Sequence, residues 1–163
     1  MKTLLVLRHA KATREEAPSD HARELTKRGR KAAQRIGHVL SSEDRMPDLI
    51  LSSAAERARR TAEEVAEASG FAGRLQLLEE LYLAEPHIYL DSLRRLGGNA
   101  GRVLMVGHNP GIEALIFRLT GAAEHMPTAA LAECSLPIES WDALGPDTTG
   151  ELVKVWRPKE LDD

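Results

Sequence analysis

The amino-acid sequence predicts an α/β fold, a three-layer sandwich in which helices flank a mainly parallel central sheet. Short aliphatic runs alternate along the chain with longer stretches in which apolar residues recur at helical intervals. Each of the first four runs is followed by such a helical stretch, which is the order that parallel strands joined by crossover helices require. The length of 163 residues is enough for one domain with its own core, so we expect a single domain over residues 1–163.

Strands are predicted where an aliphatic run is short and is bounded by charged or turn residues. The predicted strands cover residues 3–7, 49–51, 75–78, 102–106, 127–136 and 152–156. Helices are predicted where apolar residues recur every three to four positions beside charged ones. The first begins after Thr26 as its N-cap and ends before Pro47, and the others cover residues 56–69, 88–96 and about 111–119.

Composition and charge exclude several classes of protein. A net charge of -3 and an aromatic content of 4% disfavour binding to phosphodiester backbones and base stacking, so no nucleic-acid partner is expected. No apolar run approaches the ~20 residues that a membrane-spanning helix needs, so no membrane association is expected. Cys134 is a single cysteine and cannot form an internal disulfide, and the aliphatic run after Thr3 is too short for a signal peptide. We therefore expect a cytoplasmic location.

Polar side chains stand at the ends of three predicted parallel strands. Arg8 and His9 follow the first strand. Arg57 lies just beyond the second strand, and His108 follows the fourth. Because the carboxyl ends of parallel strands meet at one edge of a sheet, we expect these side chains to converge. Two guanidiniums and two imidazoles in one crevice would bind an anion such as phosphate, since the planar arginine fork matches phosphate oxygens.

The residues after His108 strengthen the case for an anion site. We expect Asn109 to be the N-cap and Pro110 the first residue of a helix, which would place free backbone N–H groups beside His108. Taken singly, each of these residues is also typical of a strand end, a turn or a solvated helix face. Their coincidence at one edge of the sheet favours the functional interpretation.

The segments around these residues resemble known motifs. LRHAKA at residues 7–12 resembles the RHG signature of the histidine phosphatase superfamily, SSAAERARRTAE at 52–63 its S-x-x-x-R-A-x-x-T-A element, and VGHNPG at 106–111 its second-histidine motif. Four further segments look like the SixA-type phosphohistidine phosphatases, namely DHARELTKRGRKAA, ELYLAEP, MPTAALA and VWRPKEL. The likeness runs from Lys2 to Leu161, and a small departure is Ala10 in place of the glycine of the RHG triplet.

The resemblance implies a role for each strand-end residue. His9 would be the nucleophile that takes the phosphoryl group and passes it to water. Arg8, Arg57 and His108 would bind the phosphoryl oxygens and offset the charge that develops on them. These fixed groups would take the place of a metal ion, so neither a metal nor another cofactor is expected. The short connections between predicted elements leave no insertion for a lid, so we expect a shallow, open site.

A carboxylate that could protonate the leaving group is harder to choose. By resemblance to larger relatives, Glu80, just after the third strand, is the candidate general acid. Its rivals are Glu79, Asp20 and Glu85. The alternative is that Glu79 and Glu80 form a solvated pair in a loop.

The strength of the general acid bears on the substrate. An enzyme with a poor acid would favour phosphohistidine, because imidazole can leave as a neutral group whereas an alcohol leaves as a strongly basic alkoxide. The expected function is removal of phosphate from phosphohistidine on a partner protein, such as a histidine phosphotransfer domain. A phosphatase for small phosphomonoesters and a noncatalytic module that binds phosphorylated residues are the alternatives.

Overall fold

The computed structural model describes residues 1–14 and 17–161. Within them, six strands are formed, namely β1 (Lys2–Arg8), β2 (Leu49–Ser53), β3 (Arg74–Leu78), β4 (Arg102–Gly107), β5 (Leu131–Leu136) and β6 (Glu151–Trp156). They are accompanied by the α-helices α1 (Lys27–Ser42), α2 (Glu56–Ser69), α3 (Pro86–Leu96) and α4 (Gly111–Thr120). Short 3-10 turns lie at Glu79–Leu81, Trp141–Ala143 and Pro158–Glu160. In this part of the chain no helix is both long and apolar enough to cross a membrane.

The strands form one sheet in the order β3-β2-β4-β1-β5-β6. Strands β1 to β4 pair in parallel, whereas β5 runs antiparallel to both β1 and β6. The predicted α/β class and mainly parallel sheet are therefore confirmed. Because β4 lies between β1 and β2, the carboxyl ends of these three strands are neighbours at one edge of the sheet.

The alternation of side chains along β1 shows how the three layers form. Leu5 and Leu7 point to one face of the sheet, where α1 and α2 pack. Leu4 and Val6 point to the other face, where α3 and α4 pack. All four side chains are fully buried, and burial of one such side chain stabilises the fold by about 1.5–3 kcal/mol. Two apolar cores, one on each face, thus hold the sheet between two helical layers.

The helix predicted to begin after Thr26 does so. Thr26 is the N-cap of α1, and its hydroxyl oxygen accepts a hydrogen bond from the Gly29 N–H at 2.9 Å. This bond satisfies one of the backbone donors that the first turn of a helix leaves without an intrahelical partner. The observed bounds of α2 also agree with the predicted 56–69.

The prediction that Asn109 caps α4 is wrong. Pro110 is the N-cap of that helix, and Asn109 precedes it. The Asn109 amide donates to Glu113 Oε2 at 2.8 Å and to the Met126 carbonyl at 3.0 Å. Because the side chain acts as a donor in these two bonds, it joins α4 to the segment before β5 rather than accepting a bond from the first turn.

The fifth strand is shorter than predicted. It begins at Leu131 rather than at residue 127. Ala129 has a φ of 62°, and the Ala130 N–H donates to the Pro127 carbonyl at 3.0 Å, so these residues form a turn. The apolar pattern of the segment does not distinguish a buried turn from a strand, which explains the difference.

Close contact between α1 and α2 depends on Gly37. A Cβ at this position would lie 2.7 Å from the Cβ of Ala68 and 2.7 Å from the carbonyl oxygen of Val65. Real Cβ atoms do not approach neighbours so closely, so a side chain here would push α1 away from α2. Gly29 belongs to α1 and Arg57 to α2, so the packing of these two helices also sets the positions of Gly29 and Arg57 relative to each other.

We predict that Gly37→Leu lowers the free energy of unfolding by about 2–4 kcal/mol, because the added side chain overpacks the interface between α1 and α2. Urea denaturation followed by circular dichroism measures the change. The matched control is His38→Leu, at the adjacent exposed position of the same helix, where we expect a change within about 0.5 kcal/mol. Equal losses in both variants would contradict the interhelical explanation.

Candidate active site

A cavity of about 790 Å³ opens at the carboxyl ends of β1, β2 and β4. Arg8, His9, Arg57 and His108 all line it, so the structure brings together the four residues predicted from the strand ends. The floor of the cavity is buried, because the exposed fractions of His9, Arg57 and His108 are only 8%, 3% and 1%. The expected shallow site is therefore a cavity with a buried floor.

His9 is held as a neutral imidazole with a defined tautomer. Its Nδ1 lies 2.8 Å from the Ala10 carbonyl oxygen, which can only accept, so Nδ1 carries the hydrogen. Nε2 therefore has the lone pair, and the Arg57 Nε–H donates to it at 3.4 Å. Burial, together with the charges of Arg57 and Arg8, lowers the pKa of His9 to about 4. A neutral imidazole, which keeps the lone pair on Nε2, is a competent nucleophile.

The backbone beside His9 is fixed by helix α2. The Ala10 N–H donates to Thr61 Oγ1 at 2.9 Å, and the Thr61 hydroxyl donates to the Arg57 carbonyl at 2.7 Å. Ala10 is fully buried and is not among the residues with positive φ, so alanine fits where the family motif has glycine. The bonds through Thr61 thus couple the position of His9 to that of Arg57.

Arg57 is anchored from outside the cavity by Asp20. One terminal nitrogen of Arg57 donates to the Asp20 backbone carbonyl at 2.7 Å, and the other donates to Asp20 Oδ2 at 3.0 Å. The Asp20 carboxylate also accepts from the Tyr82 hydroxyl and from Arg23. These donors, Tyr82 first, hold the pKa of Asp20 well below its usual range. Asp20 is therefore ionised at neutral pH and has no proton to donate.

His108 is the second neutral imidazole. Its Nε2 lies 2.8 Å from Ser53 Oγ, and Ser53 Oγ also accepts from the Ala55 N–H at 3.2 Å. Ser53 is fully buried, and within the described residues its hydroxyl hydrogen has no other acceptor, so it is donated to His108 Nε2 and His108 Nδ1 carries the imidazole hydrogen. Burial, followed by the proximity of His9 and Arg57, lowers the pKa of His108 to about 3. Among the described residues, no group accepts from the buried Nδ1–H.

Arg8 reaches the same cavity from the end of β1. One of its terminal nitrogens donates to the Met126 carbonyl at 3.1 Å, and its buried Nε has no partner in the described part of the chain. Asn109 and Thr128 line the cavity beside it. Arg8 Nε and His108 Nδ1 are thus two buried donors at one site, and a bound anion would satisfy such donors.

Three of the four candidate carboxylates are engaged away from the cavity. The Glu80 carboxylate forms an ion pair with Arg95 at 2.6 Å, and Glu79 contacts His21 at 3.2 Å. Glu85 is exposed and pairs with a neighbouring histidine. None of the three lines the cavity, so the structure does not bring Glu80 to the four residues predicted with it.

Tyr82 is a site residue that the sequence reasoning missed. Its ring lies edge-on to His108, with the centroids 5.5 Å apart, and 5.9 Å from the guanidinium carbon of Arg57. His21 also packs against this ring, with the two ring centroids 4.8 Å apart. Tyr82 lies in the segment ELYLAEP, so its place in a motif was the available signal. Ser53 and Thr61 were likewise present in a motif but had no role assigned to them.

Two neutral histidines beside two guanidiniums, at the carboxyl edge of a mainly parallel sheet, define a candidate site for transfer of an anionic group to histidine. The chain belongs to the histidine phosphatase superfamily (branch 1), whose family model matches residues 4–85. That membership supports a phosphatase activity, and the structural neighbours below support the SixA type within the family.

Two solved structures share this fold over nearly the whole chain. A protein assigned as the phosphohistidine phosphatase SixA of Nakamurella multipartitia is 29% identical, with a TM-score of 0.85 and 96% of each chain covered. One with the same assignment from Agrobacterium tumefaciens is 29% identical, with a TM-score of 0.80 and coverage of 96% of this chain and 98% of the other. An uncharacterised protein of Mycobacterium tuberculosis is 33% identical over 137 residues, which are 77% of this chain and 84% of the relative.

We predict that His9 and His108 stay neutral at about pH 6.5, where an ordinary imidazole is half protonated. Their pKa values of about 4 and about 3 lie below that of the unfolded chain. The unfolded state therefore binds more protons between about pH 4 and 6.5, and these groups add stability as the pH rises through that window. Histidine-selective NMR between about pH 5 and 8 measures the titration, with His9→Ala to assign the signals. A midpoint near 6.5 for His9 would contradict the burial argument.

We predict that Ser53→Ala lowers kcat/KM for p-nitrophenyl phosphate about tenfold, because His108 loses the bond that sets its tautomer. NMR of the imidazole nitrogens should show His108 changing from the Nδ1–H form to a mixture. Ser52→Ala is the matched control, since Ser52 is equally buried in the same strand and its hydroxyl donates to the Ser53 carbonyl. A tautomer unchanged in Ser53→Ala would show that Ser53 does not position His108.

Proposed function

We propose that this protein removes the phosphoryl group from phosphohistidine on a partner protein, with His9 as nucleophile and no metal ion. His9 Nε2 attacks phosphorus, the P–N bond of the substrate breaks, and the partner's imidazole leaves. Water then attacks the phosphoryl group on His9, releasing inorganic phosphate and regenerating the neutral imidazole. Splitting the transfer into two steps replaces one difficult displacement with two easier ones.

The other three residues bind the group in transfer. Arg8 and Arg57 provide planar sets of N–H donors that match phosphoryl oxygens. His108 donates from Nδ1–H as a neutral group, which adds a hydrogen bond without adding a further charge beside His9. Positioned donors of this kind stabilise charge that develops in the transition state and need no reorganisation during the reaction. Their presence supports a reaction without a metal ion.

The observation that carries the choice of substrate is the state of the carboxylates. Among residues 1–14 and 17–161, no aspartate or glutamate lines the cavity. Asp20 is the carboxylate in contact with Arg57, and its lowered pKa leaves it ionised. A leaving alkoxide would need a proton from such a group, whereas imidazole protonated on its second nitrogen leaves as a neutral molecule. The assignment of two structural neighbours as phosphohistidine phosphatases supports the same choice.

A phosphatase for small phosphomonoesters is the second candidate. The cavity volume of about 790 Å³ favours it, because sites for small molecules occupy roughly 300–1,000 Å³. An activated ester such as p-nitrophenyl phosphate would also be cleaved without an acid. A panel of unactivated sugar phosphates separates this candidate from phosphohistidine.

We predict that a phosphohistidine peptide is hydrolysed with kcat/KM at least about a hundredfold above that for a phosphoserine peptide or a sugar phosphate, and that His9→Ala lowers kcat by about 10³ or more. Rapid quenching in alkali should trap an acid-labile phosphoryl group on the wild-type protein. His38→Ala, at an exposed histidine of α1, is the matched control and should retain activity.

Two outcomes would contradict the proposal in different ways. Faster hydrolysis of sugar phosphates than of the phosphohistidine peptide would assign the enzyme to small phosphomonoesters. Equal, near-zero rates for wild type and His9→Ala, together with tight binding of the phosphohistidine peptide, would identify a noncatalytic binding module.

A further inference from the structure

The cavity carries far more positive charge than one phosphoryl group requires. Eight lysine and arginine side chains line it, and no carboxylate of the described residues does so. A phosphoryl group carries only about 1.5 to 2 negative charges near neutral pH. Arg8 and Arg57 are enough to match that charge, so the phosphoryl group does not account for the exposed Lys11 and Arg28 at the same cavity.

Part of this charge continues outside the cavity as a basic ridge, which consists of Lys11, Lys27, Arg28 and Lys31. All four residues are exposed. Lys11 and Arg28 line the cavity, whereas Lys27 and Lys31 do not. Lys27 and Lys31 are four positions apart on α1, and Arg28 and Lys31 three apart, so their side chains are neighbours on the helix surface.

The basic ridge is unfavourable for the helix that bears it. Its lysines and arginine on α1 lie in the first two turns, where the positive end of the helix dipole repels cations. Like charges three and four positions apart repel one another as well. The first turn of α1 contains no acidic residue, and within residues 1–14 and 17–161 none of the four ridge side chains forms an ion pair.

Helix α2 shows the opposite arrangement. Arg59 lies between Glu56 and Glu63 and pairs with both, at 2.6 and 2.8 Å. Arg60 pairs with Glu63 and Glu64. The same chain therefore pairs Arg59 and Arg60 of α2 with carboxylates and leaves Lys27, Arg28 and Lys31 of α1 exposed without an ion pair among the described residues. Helix stability therefore does not explain the basic ridge.

We propose that the basic ridge binds an acidic segment next to the phosphohistidine of the partner protein. This inference rests on the proposed function. A small polyanion inside the cavity would contact Lys11 and Arg28 but would leave Lys27 and Lys31 unused, since these lie outside it. Leu83 offers an apolar contact at the cavity, because it lines the cavity and its side chain is 56% exposed. A protein surface meets both features, with carboxylates on the ridge and an apolar side chain on Leu83.

The test compares two phosphohistidine peptides that differ only in three flanking residues, glutamate in one and glutamine in the other. We expect wild type to prefer the acidic peptide about tenfold in kcat/KM. The preference should approach unity near about 1 M salt, where charges are screened over about 3 Å. Lys27→Gln/Lys31→Gln should reduce the preference to about two- to threefold.

The matched control is Arg74→Gln/Arg118→Gln, which removes the same charge from two exposed residues remote from the cavity. It should retain the full preference. Thermal unfolding of both double variants verifies that each is folded. Equal loss of preference in the two variants would overturn the inference, because it would show an effect of net charge alone.

Further outcomes separate the inference from the function on which it rests. If wild type hydrolyses both peptides at equal rates, the inference about the basic ridge is wrong, but the proposed function is still supported. If neither peptide is hydrolysed, the proposed function fails, and fluorescence anisotropy with the same peptides tests whether the basic ridge binds an acidic segment. Tighter binding of the acidic peptide that is lost in Lys27→Gln/Lys31→Gln supports the inference. Equal binding of the two peptides overturns it. The inference is also overturned if neither peptide is preferred and inorganic triphosphate inhibits wild type and Lys27→Gln/Lys31→Gln equally. That result would show that the positive charge of the cavity binds a small polyanion.

Discussion

Burial of His9 beside two guanidiniums is the constraint on which the site depends. An imidazole in water is partly protonated near neutral pH, and a protonated imidazole has no lone pair for phosphorus. Here the cavity removes water from His9, and the charges of Arg57 and Arg8 oppose any further positive charge. The groups that would bind the phosphoryl oxygens therefore also keep His9 unprotonated.

The same constraint bears on the position of Asp20, which binds the two terminal nitrogens of Arg57 and not the Nε that faces His9. A carboxylate facing His9 would stabilise the imidazolium and raise its pKa. Asp20 instead accepts from Arg57, Arg23 and Tyr82, on the side of the guanidinium away from Nε. The guanidinium is thus oriented by strong bonds while its Nε–H remains directed at His9. As a consequence, Asp20 stays ionised and has no proton to give to a leaving group.

Much of the fold could be predicted from the sequence because the signals were local. Aliphatic runs and helical periodicity located β1 to β4, the start of α1 and the other three helices to within two residues, and strand ends placed Arg8, His9, Arg57 and His108 together. The end of α1 was located less closely, because the helix ends at Ser42, several residues before Pro47. The contacts that orient these side chains could not be predicted in the same way. Tyr82 meets Asp20 across 62 positions of sequence, through loops without periodicity. Glu80 was a candidate acid by its position, yet an exposed arginine one helix away holds its carboxylate.

The place of β4 in the sheet has a consequence for the growing chain. β4 is synthesised after β1 and β2 but lies between them, so the first half of the chain cannot bring His9 and Arg57 into their final relation by pairing its own strands. The cavity can close only after Gly107 at the end of β4 has left the ribosome. Until then, the exposed edges of β1 and β2 are unpaired and open to association with other chains. A nascent chain of this order therefore buries His9 late, when most of the core is already available to enclose it.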